Sequence, residues 1–301
     1  MRGLERSKQF YLTTILPALK TEFPSFYDQI AIGKIGKGSD CYGFDDEVSE
    51  DHDFSLGCQF YLTQAQDLEF GFKLTRFYSQ FENNKGKQSY YRERREGVFS
   101  IAEILSQLTG LSHEPQSITE WLQIPEYALY EVTNGEIFNP GNGEFVKLLN
   151  NYKTGLPKDV LKKRLAKHLI LASQSGEYNY KRILSHGEKA ASAFALFEFV
   201  DNASYILFEL NNKPTPYYKW RFRSARTLMV CSKVLPLLEA LLLDEKCDKI
   251  ALIASITNSF CLELFKSGYT QTLCTSLEEA SFQTQSGIEN QQLRKAHIME
   301  V

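Results

Sequence analysis

The stretch GKGSDCYGFDDEVSEDHDF, residues 36–54, decides the fold that we expect for this 301-residue chain. Gly38 and Ser39 predict a turn that binds phosphate, because glycine lets the backbone come close to a ligand and backbone N–H groups bind its oxygens. Asp51 and Asp53 follow, and in an extended segment both carboxylates point to one face. Two such carboxylates repel each other unless a cation lies between them. Since Mg²⁺ uses carboxylates together with substrate phosphates, the pattern predicts a Mg²⁺–nucleotide site.

The patterns on either side of this stretch indicate an α+β half followed by an all-helical half. Helices are predicted at 5–20, after Pro24 to about residue 32, and at 63–81, and a strand is predicted at 54–62. Residues 33–43 are predicted to be a glycine loop, and residues 127–138 a β-hairpin that turns at Asn134-Gly135. From about residue 150 the patterns are helical, at 156–174, 177–210, 219–243 and 248–266. We therefore place a domain boundary near residue 150.

Composition excludes several classes of protein. The formal net charge of −3 gives no overall field that attracts nucleic acid or an anionic membrane. None of the six cysteines lies in a C-x-x-C pair, which argues against a structural zinc site and for reduced thiols. The sequence shows neither a signal peptide nor a run of 18 apolar residues. We expect a cytoplasmic protein with no membrane partner.

Residues 36–54 resemble the DNA polymerase β-type nucleotidyltransferase superfamily, which includes the aminoglycoside and lincosamide nucleotidyltransferases. More closely, their Gly-Ser, Gly-Phe-Asp-Asp and Ser-x-Asp-His-Asp core resembles a bacterial family of predicted nucleotidyltransferases. The resemblance continues through residues 133–138, 174–179, Arg182 and 217–220. It implies a small mixed-sheet nucleotidyltransferase domain at 1–150, and a helical domain at 151–301 that closes over the nucleotide and acceptor cleft.

The resemblance also implies roles for single residues. Gly38 and Ser39 would hold the triphosphate of ATP or another NTP, and Asp51 and Asp53 would bind two Mg²⁺ ions. The ions would neutralise phosphate charge and align an acceptor hydroxyl for attack on the α-phosphorus. The expected reaction is transfer of a nucleoside monophosphate, AMP from ATP, to a small-molecule or protein acceptor.

A third carboxylate is common in the superfamily, and this sequence leaves it unassigned. In the bacterial family an Asp stands two residues after the position that matches Phe138, where this chain has Pro140. Glu131 and Glu136 are the nearby substitutes if this segment is a strand. The departure at Pro140 supports an alternative function, a nucleotide-binding regulatory protein of the same fold that has lost transfer.

Charged residues elsewhere are weaker candidates. Arg182 and Lys219 are predicted to bring cations to the nucleotide's phosphates from the helical half. Lys34 and Lys37 flank the glycines and are interpreted as solvated, and residues 92–95 as a charged exposed face. An RNA-acting transferase is disfavoured, because the chain lacks an aromatic and basic platform. The sequence leaves homo-oligomer formation open.

Overall fold

The computed structural model of the chain describes residues 3–46, 57–81 and 94–300. They belong to two compact units. The first comprises Met1–Glu120 with Ile124–Gly155, and the second comprises Trp121–Gln123 with Leu156–Val301. The first unit contains a β-sheet, whereas the regular elements of the second, within its described residues, are all helices.

A mixed sheet forms the centre of the first unit. In the described residues it has four strands: β1 (Ala31–Lys34), β2 (Gln59–Leu62), β3 (Gly97–Ser100) and β4 (Glu136–Pro140). Their order across the sheet is β3-β2-β1-β4. β1 runs antiparallel to β2 and β4, whereas β2 and β3 are parallel. The end of β1 therefore lies beside the starts of both β2 and β4.

Helices cover the sheet of the first unit. Ile15, Leu19, Phe60 and Phe77 share one hydrophobic cluster, which places the N-terminal helix and the helix after β2 on one face. On strand β2 the next residue, Tyr61, stacks on Phe145 with ring centroids 4.1 Å apart. The helices before residue 155 are α1 (Gly3–Phe10), α2 (Leu16–Glu22), α3 (Ser39–Tyr42), α4 (Gln64–Gln66), α5 (Phe72–Tyr78), α6 (Ile101–Thr109), α7 (Ile118–Gln123), α8 (Glu126–Thr133) and α9 (Glu144–Thr154). Two π-helical stretches, Tyr11–Ile15 and Asp67–Gly71, join α1 to α2 and α4 to α5.

The second unit packs its helices around a core of buried aliphatic and aromatic side chains, among them Leu169, Phe199, Leu238 and Phe260. Its helices are α10 (Lys158–Ala172), α11 (Lys181–Ser185), α12 (Lys189–Leu210), α13 (Tyr218–Ala225), α14 (Val234–Leu243), α15 (Lys249–Lys266), α16 (Leu277–Ser286) and α17 (Gln291–Lys295). A π-helical stretch, Ser173–Tyr180, joins α10 to α11. Among the described helices, none is long and apolar enough to cross a lipid bilayer.

The α+β architecture expected from the sequence, a small mixed sheet followed by helices, is confirmed. The predicted hairpin at 127–138 is wrong in its first half, which is helix α8. Ala128, Leu129 and Val132 bury one side of that helix, and three residues at such spacing fit a helix better than an alternating strand. The second half is strand β4, which pairs with the distant β1.

The boundaries around β1 also differ from the prediction. Residues after Pro24 form turns rather than a helix, and the expected glycine loop begins two residues late because Gly33 belongs to β1. A Cβ at Gly33 would lie 2.5 Å from the Glu136 carbonyl oxygen, so this glycine allows β4 to approach β1 closely. Of the long helices predicted after residue 150, 177–210 is interrupted between α11 and α12, and 219–243 between α13 and α14.

Candidate functional site

The turn between β1 and α3 carries the predicted phosphate-binding residues. Gly36 and Gly38 have φ angles of +104° and +121°, in the region that glycine adopts far more readily than other residues. Ser39, which is half-buried, is the first residue of α3, and that helix ends at Gly43 with φ of +70°. Glycines with positive φ therefore set the path of the backbone at both ends of α3.

Arg95 lies directly on the turn. Its Nη2 donates to the carbonyl oxygen of Lys37 at 2.5 Å and to Oδ1 of Asp40 at 3.0 Å. A Cβ built on Gly38 would lie 1.6 Å from the same nitrogen, so the guanidinium occupies the space that any side chain at position 38 needs. The predicted exposed charged face at 92–95 is therefore wrong for Arg95, whose side chain is 20% exposed.

A buried ion pair lies beneath the turn. Lys34 Nζ is 2.6 Å from Asp40 Oδ2, and the two side chains are 1% and 5% exposed. Burial acts to raise the pKa of Asp40, but the charges of Lys34 and Arg95 outweigh it and hold that pKa below its usual value. Asp40 is therefore a carboxylate, and the three side chains together carry a net charge of +1. The interpretation of Lys34 as solvated is wrong, whereas Lys37 is exposed.

The amide side chains of Asn134 and Gln59 fix the path of the turn. The Asn134 side chain accepts from the Gly36 N–H at 2.8 Å and donates to the Gly36 carbonyl oxygen at 2.9 Å. The Gln59 side chain accepts from the Ile35 N–H at 2.8 Å and donates to the Arg95 carbonyl oxygen at 3.1 Å. Both side chains come from parts of the chain distant from the turn in sequence, and they hold its backbone through these hydrogen bonds.

The two predicted Mg²⁺ ligands, Asp51 and Asp53, lie outside the described residues. Of the acidic residues just before them, Asp45 and Asp46 are described, and the Asp45 carboxylate accepts from the Gly3 N–H at the start of α1. This contact attaches the loop to the N-terminal helix.

Glu131 and Glu136 do not share a strand, contrary to the premise on which they were proposed. Glu131 is buried on α8 and accepts from the hydroxyl of Tyr42 at 3.1 Å. Tyr42 in turn stacks on Tyr130 with ring centroids 4.9 Å apart, which joins α3 to α8. Glu136 is the first residue of β4; its side chain is 40% exposed and pairs with Lys8 at 2.5 Å.

The register of β4 against β1 decides which of its positions lies near the turn. Glu136 is opposite Lys34, at the end of β1 that leads into the turn. Pro140 is opposite Ala31, three residues back along β1 and therefore about 10 Å away. A carboxylate at position 140 would lie at the far end of the strand from Gly38 and Ser39.

The two cations predicted in the helical half are both on the surface of the second unit. Arg182 lies on α11, where it donates to the hydroxyl of Tyr178 and lies 5.6 Å from that ring's centroid. Lys219 lies on α13, with its amine 4.9 Å from the centroid of the Trp220 ring. Each cation thus contacts an aromatic neighbour on its own helical segment.

The second unit also contains a chain of polar contacts that the sequence did not reveal. Arg221 is paired with Asp201, and its guanidinium lies 4.2 Å from the centre of the Tyr205 ring. Tyr205 stacks on His168 at 4.3 Å, and His168 Nδ1 is 2.7 Å from Glu209 Oε1. Asp201, Tyr205 and Glu209 lie four residues apart along one face of α12. His168 and Arg221 come from α10 and α13, so no local motif identifies the whole set.

Comparison with known proteins gives three findings. The profile of a domain family described as a domain of unknown function (DUF4037) matches residues 121–221, which is less than half of the chain. No curated protein matches. Among solved structures, the chain is similar to a nucleotidyltransferase-like protein from Exiguobacterium sibiricum 255-15, with 12% sequence identity and a TM-score of 0.36. The match covers 84% of this chain and 79% of that chain.

Proposed function

We propose that this chain is a Mg²⁺-dependent nucleotidyltransferase that transfers a nucleoside monophosphate, AMP from ATP, to a hydroxyl of a small-molecule or protein acceptor. The observation that carries the proposal is the turn from Gly36 to Ser39 at the end of β1. It combines positive φ angles, a closely packed glycine and an adjacent hydroxyl with the Asp51-x-Asp53 spacing in the sequence. Glycine turns of this kind bring backbone N–H groups close to phosphate oxygens.

The charge around the turn supports the binding of an anion. Lys34, Asp40 and Arg95 carry a net +1 within the structure that holds Gly38 in place. The Arg95 guanidinium lies on the turn and offers N–H donors and a positive charge to a phosphate. The same network argues against a solvated glycine loop.

Asp51 and Asp53 are the residues proposed to hold Mg²⁺, on the basis of their spacing. When bound, the ions would neutralise the phosphates and favour attack of the acceptor hydroxyl on the α-phosphorus. Glu136 is proposed as the third carboxylate, because the register places it opposite Lys34 at the end of β1 that leads into the turn. Its side chain is 40% exposed and so is accessible to solvent at that edge.

The alternative, a nucleotide-binding regulatory protein without transfer activity, draws its sequence support from Pro140. The strand register weakens that support, because position 140 lies opposite Ala31 and away from the turn. The loss of an acidic residue there leaves Glu136, at the other end of the strand, unchanged. We therefore favour an active transferase.

The test combines nucleotide binding with detection of transfer. The purified chain is titrated with each of the four NTPs in Mg²⁺ by calorimetry, then incubated with α-labelled ATP and a panel of hydroxyl-bearing small molecules and proteins. We expect ATP binding, release of pyrophosphate and a labelled acceptor, all of them abolished by EDTA. Asp51→Ala and Asp53→Ala should abolish transfer, while Asp28→Ala, which removes an exposed carboxylate just before β1, should not.

The possible results separate the two functions. If the wild-type chain binds no NTP in Mg²⁺, the proposed site is wrong. If it binds ATP but releases no pyrophosphate with any acceptor, including itself, the regulatory alternative is correct. If Asp28→Ala abolishes transfer as fully as Asp51→Ala, the assignment of the metal ligands is wrong.

A further inference from the structure

We infer that Arg95 supplies the positive charge that the phosphates of the nucleotide contact at the turn, and this inference rests on the proposed function. The guanidinium is already in place. Its Nη2 contacts the Lys37 carbonyl oxygen and the Asp40 carboxylate, and it fills the space beside Gly38 that a side chain would need.

The division of charge within the network identifies Arg95 rather than Lys34. The two oxygens of Asp40 are shared between the cations: Oδ2 is 2.6 Å from Lys34, and Oδ1 is 3.0 Å from Arg95. Lys34 is 1% exposed and is enclosed with its partner, so no ligand reaches its amine. Arg95 retains 20% exposure of its side chain, so a phosphate at the turn can reach its guanidinium.

The geometry of the guanidinium suits this role. It is planar and presents several N–H donors in a fixed fork that matches phosphate oxygens. Anchoring by Lys37 and Asp40 fixes its orientation beside Gly38, which lowers the entropy lost when a phosphate binds. Arg95 therefore holds the turn in place and is also the positively charged group that a phosphate bound there contacts.

Arg94 provides the contrast within the same segment. Its guanidinium lies 4.1 Å from the centre of the Phe99 ring and donates to Glu103 at 3.0 Å and to the Val98 carbonyl oxygen at 2.6 Å. These contacts commit Arg94 to β3 and the start of α6. Substitution of Arg94 thus removes the same charge from the same segment without changing the turn.

The experiment compares nucleotides that differ in their number of phosphates. Dissociation constants of ATP, ADP, AMP and adenosine are measured in Mg²⁺ for the wild-type chain and for Arg95→Gln, Arg95→Lys and Arg94→Gln, with thermal melting to confirm folding. Arg95→Gln should weaken ATP binding by about 10- to 100-fold, the range that a hydrogen bond to a charged group provides. The loss should shrink through ADP and AMP and be less than about 2-fold for adenosine, which carries no phosphate charge.

The two other variants keep the inference testable if Arg95→Gln folds poorly. Arg95→Lys retains the charge and should recover part of the ATP affinity, whereas Arg94→Gln should leave the whole series unchanged. An equal loss of affinity for ATP and adenosine would show that Arg95 braces the turn but does not contact the phosphates. An unchanged ATP affinity would show that Arg95 neither braces the turn for binding nor contacts the phosphates. A wild-type chain that binds none of the four compounds would instead overturn the proposed function itself.

Discussion

Lys34 and Asp40 form a buried ion pair across the glycine turn, with Nζ and Oδ2 2.6 Å apart. Lys34 is the last residue of β1, and Asp40 is the second residue of α3, so the pair joins the elements on both sides of the turn. Two charges withdrawn from water are costly unless each is neutralised. The pair therefore couples the path of the turn to the stability of the whole first unit.

Lys34→Met should destabilise the chain by about 3–5 kcal/mol, because among the described residues it leaves the buried carboxylate of Asp40 with Arg95 as its charged partner. Lys37→Met is the matched control, since that lysine is exposed in the same turn. Its effect should stay within about 0.5 kcal/mol. Urea unfolding followed by circular dichroism measures both, and equal effects would show that the buried pair contributes little.

The pH dependence of this pair follows from the direction of the pKa shift. The folded-state pKa of Asp40 is lower than the ordinary value of 3.8, so its charge stabilises the fold above that value. The stabilisation is lost as the pH falls through the folded-state pKa. The difference in unfolding free energy between wild type and Asp40→Asn should therefore be large at neutral pH and shrink in acid. A difference that stays constant with pH would contradict this assignment.

The sequence was sufficient for the α+β class and the glycine turn, but not for the contacts that hold the turn. Glycines at positive φ and a shift to helical periodicity are local signals, and a single sequence displays them. Asn134 clamps Gly36 from 98 positions away, and Asn134-Gly135 gives the same local signal as a hairpin turn. Helix α8 was missed for a related reason, since its residues are also favourable in strands.

Gly38→Ala should disrupt the turn more than a comparable substitution elsewhere. The new Cβ must displace the Arg95 guanidinium, 1.6 Å away, and the residue must also keep φ near +121°. Gly110→Ala, at the end of α6, is the control, because it has φ of +82° and nothing within 4 Å of the new atom. Gly110→Ala should cost about 1–2 kcal/mol from backbone strain alone, without affecting ATP binding.

Gly38→Ala should cost more in stability than this control and should also weaken ATP binding. Calorimetry with ATP and urea unfolding measure the two effects. If both glycine variants lose the same stability and bind ATP equally, Arg95 moves aside without consequence, and the close packing at Gly38 has no role in the site.

Asn134→Ala should destabilise the first unit, because it removes both hydrogen bonds between the side chain and Gly36. Each such bond contributes about 0.5–1.5 kcal/mol, so a loss of about 1–3 kcal/mol is expected. Asn134→Asp keeps the acceptor for the Gly36 N–H but sets an oxygen against the Gly36 carbonyl. It should therefore not restore full stability. Urea unfolding measures the series, and full stability of the Asp variant would show that only the accepting bond matters.

The strand register leads to a prediction that chooses between the two candidate carboxylates. Glu136→Gln removes the charge opposite the end of β1 and breaks the surface pair with Lys8, whose contribution to stability is within about 1 kcal/mol. Lys8→Met breaks the same pair and keeps the carboxylate, so it is the matched control. Glu131→Gln tests the other candidate, whose carboxylate is buried against Tyr42.

We expect Glu136→Gln to slow pyrophosphate release during transfer and to change ATP affinity by no more than about 2-fold. The reason is that a third carboxylate acts in the transition state rather than in nucleotide binding. Lys8→Met should leave the rate unchanged, which separates loss of the charge from loss of the pair. A slow Glu131→Gln variant beside a normal Glu136→Gln would assign the role to α8 instead. If Lys8→Met slows the reaction as much as Glu136→Gln, the surface pair orders the edge of the sheet and Glu136 takes no part in transfer.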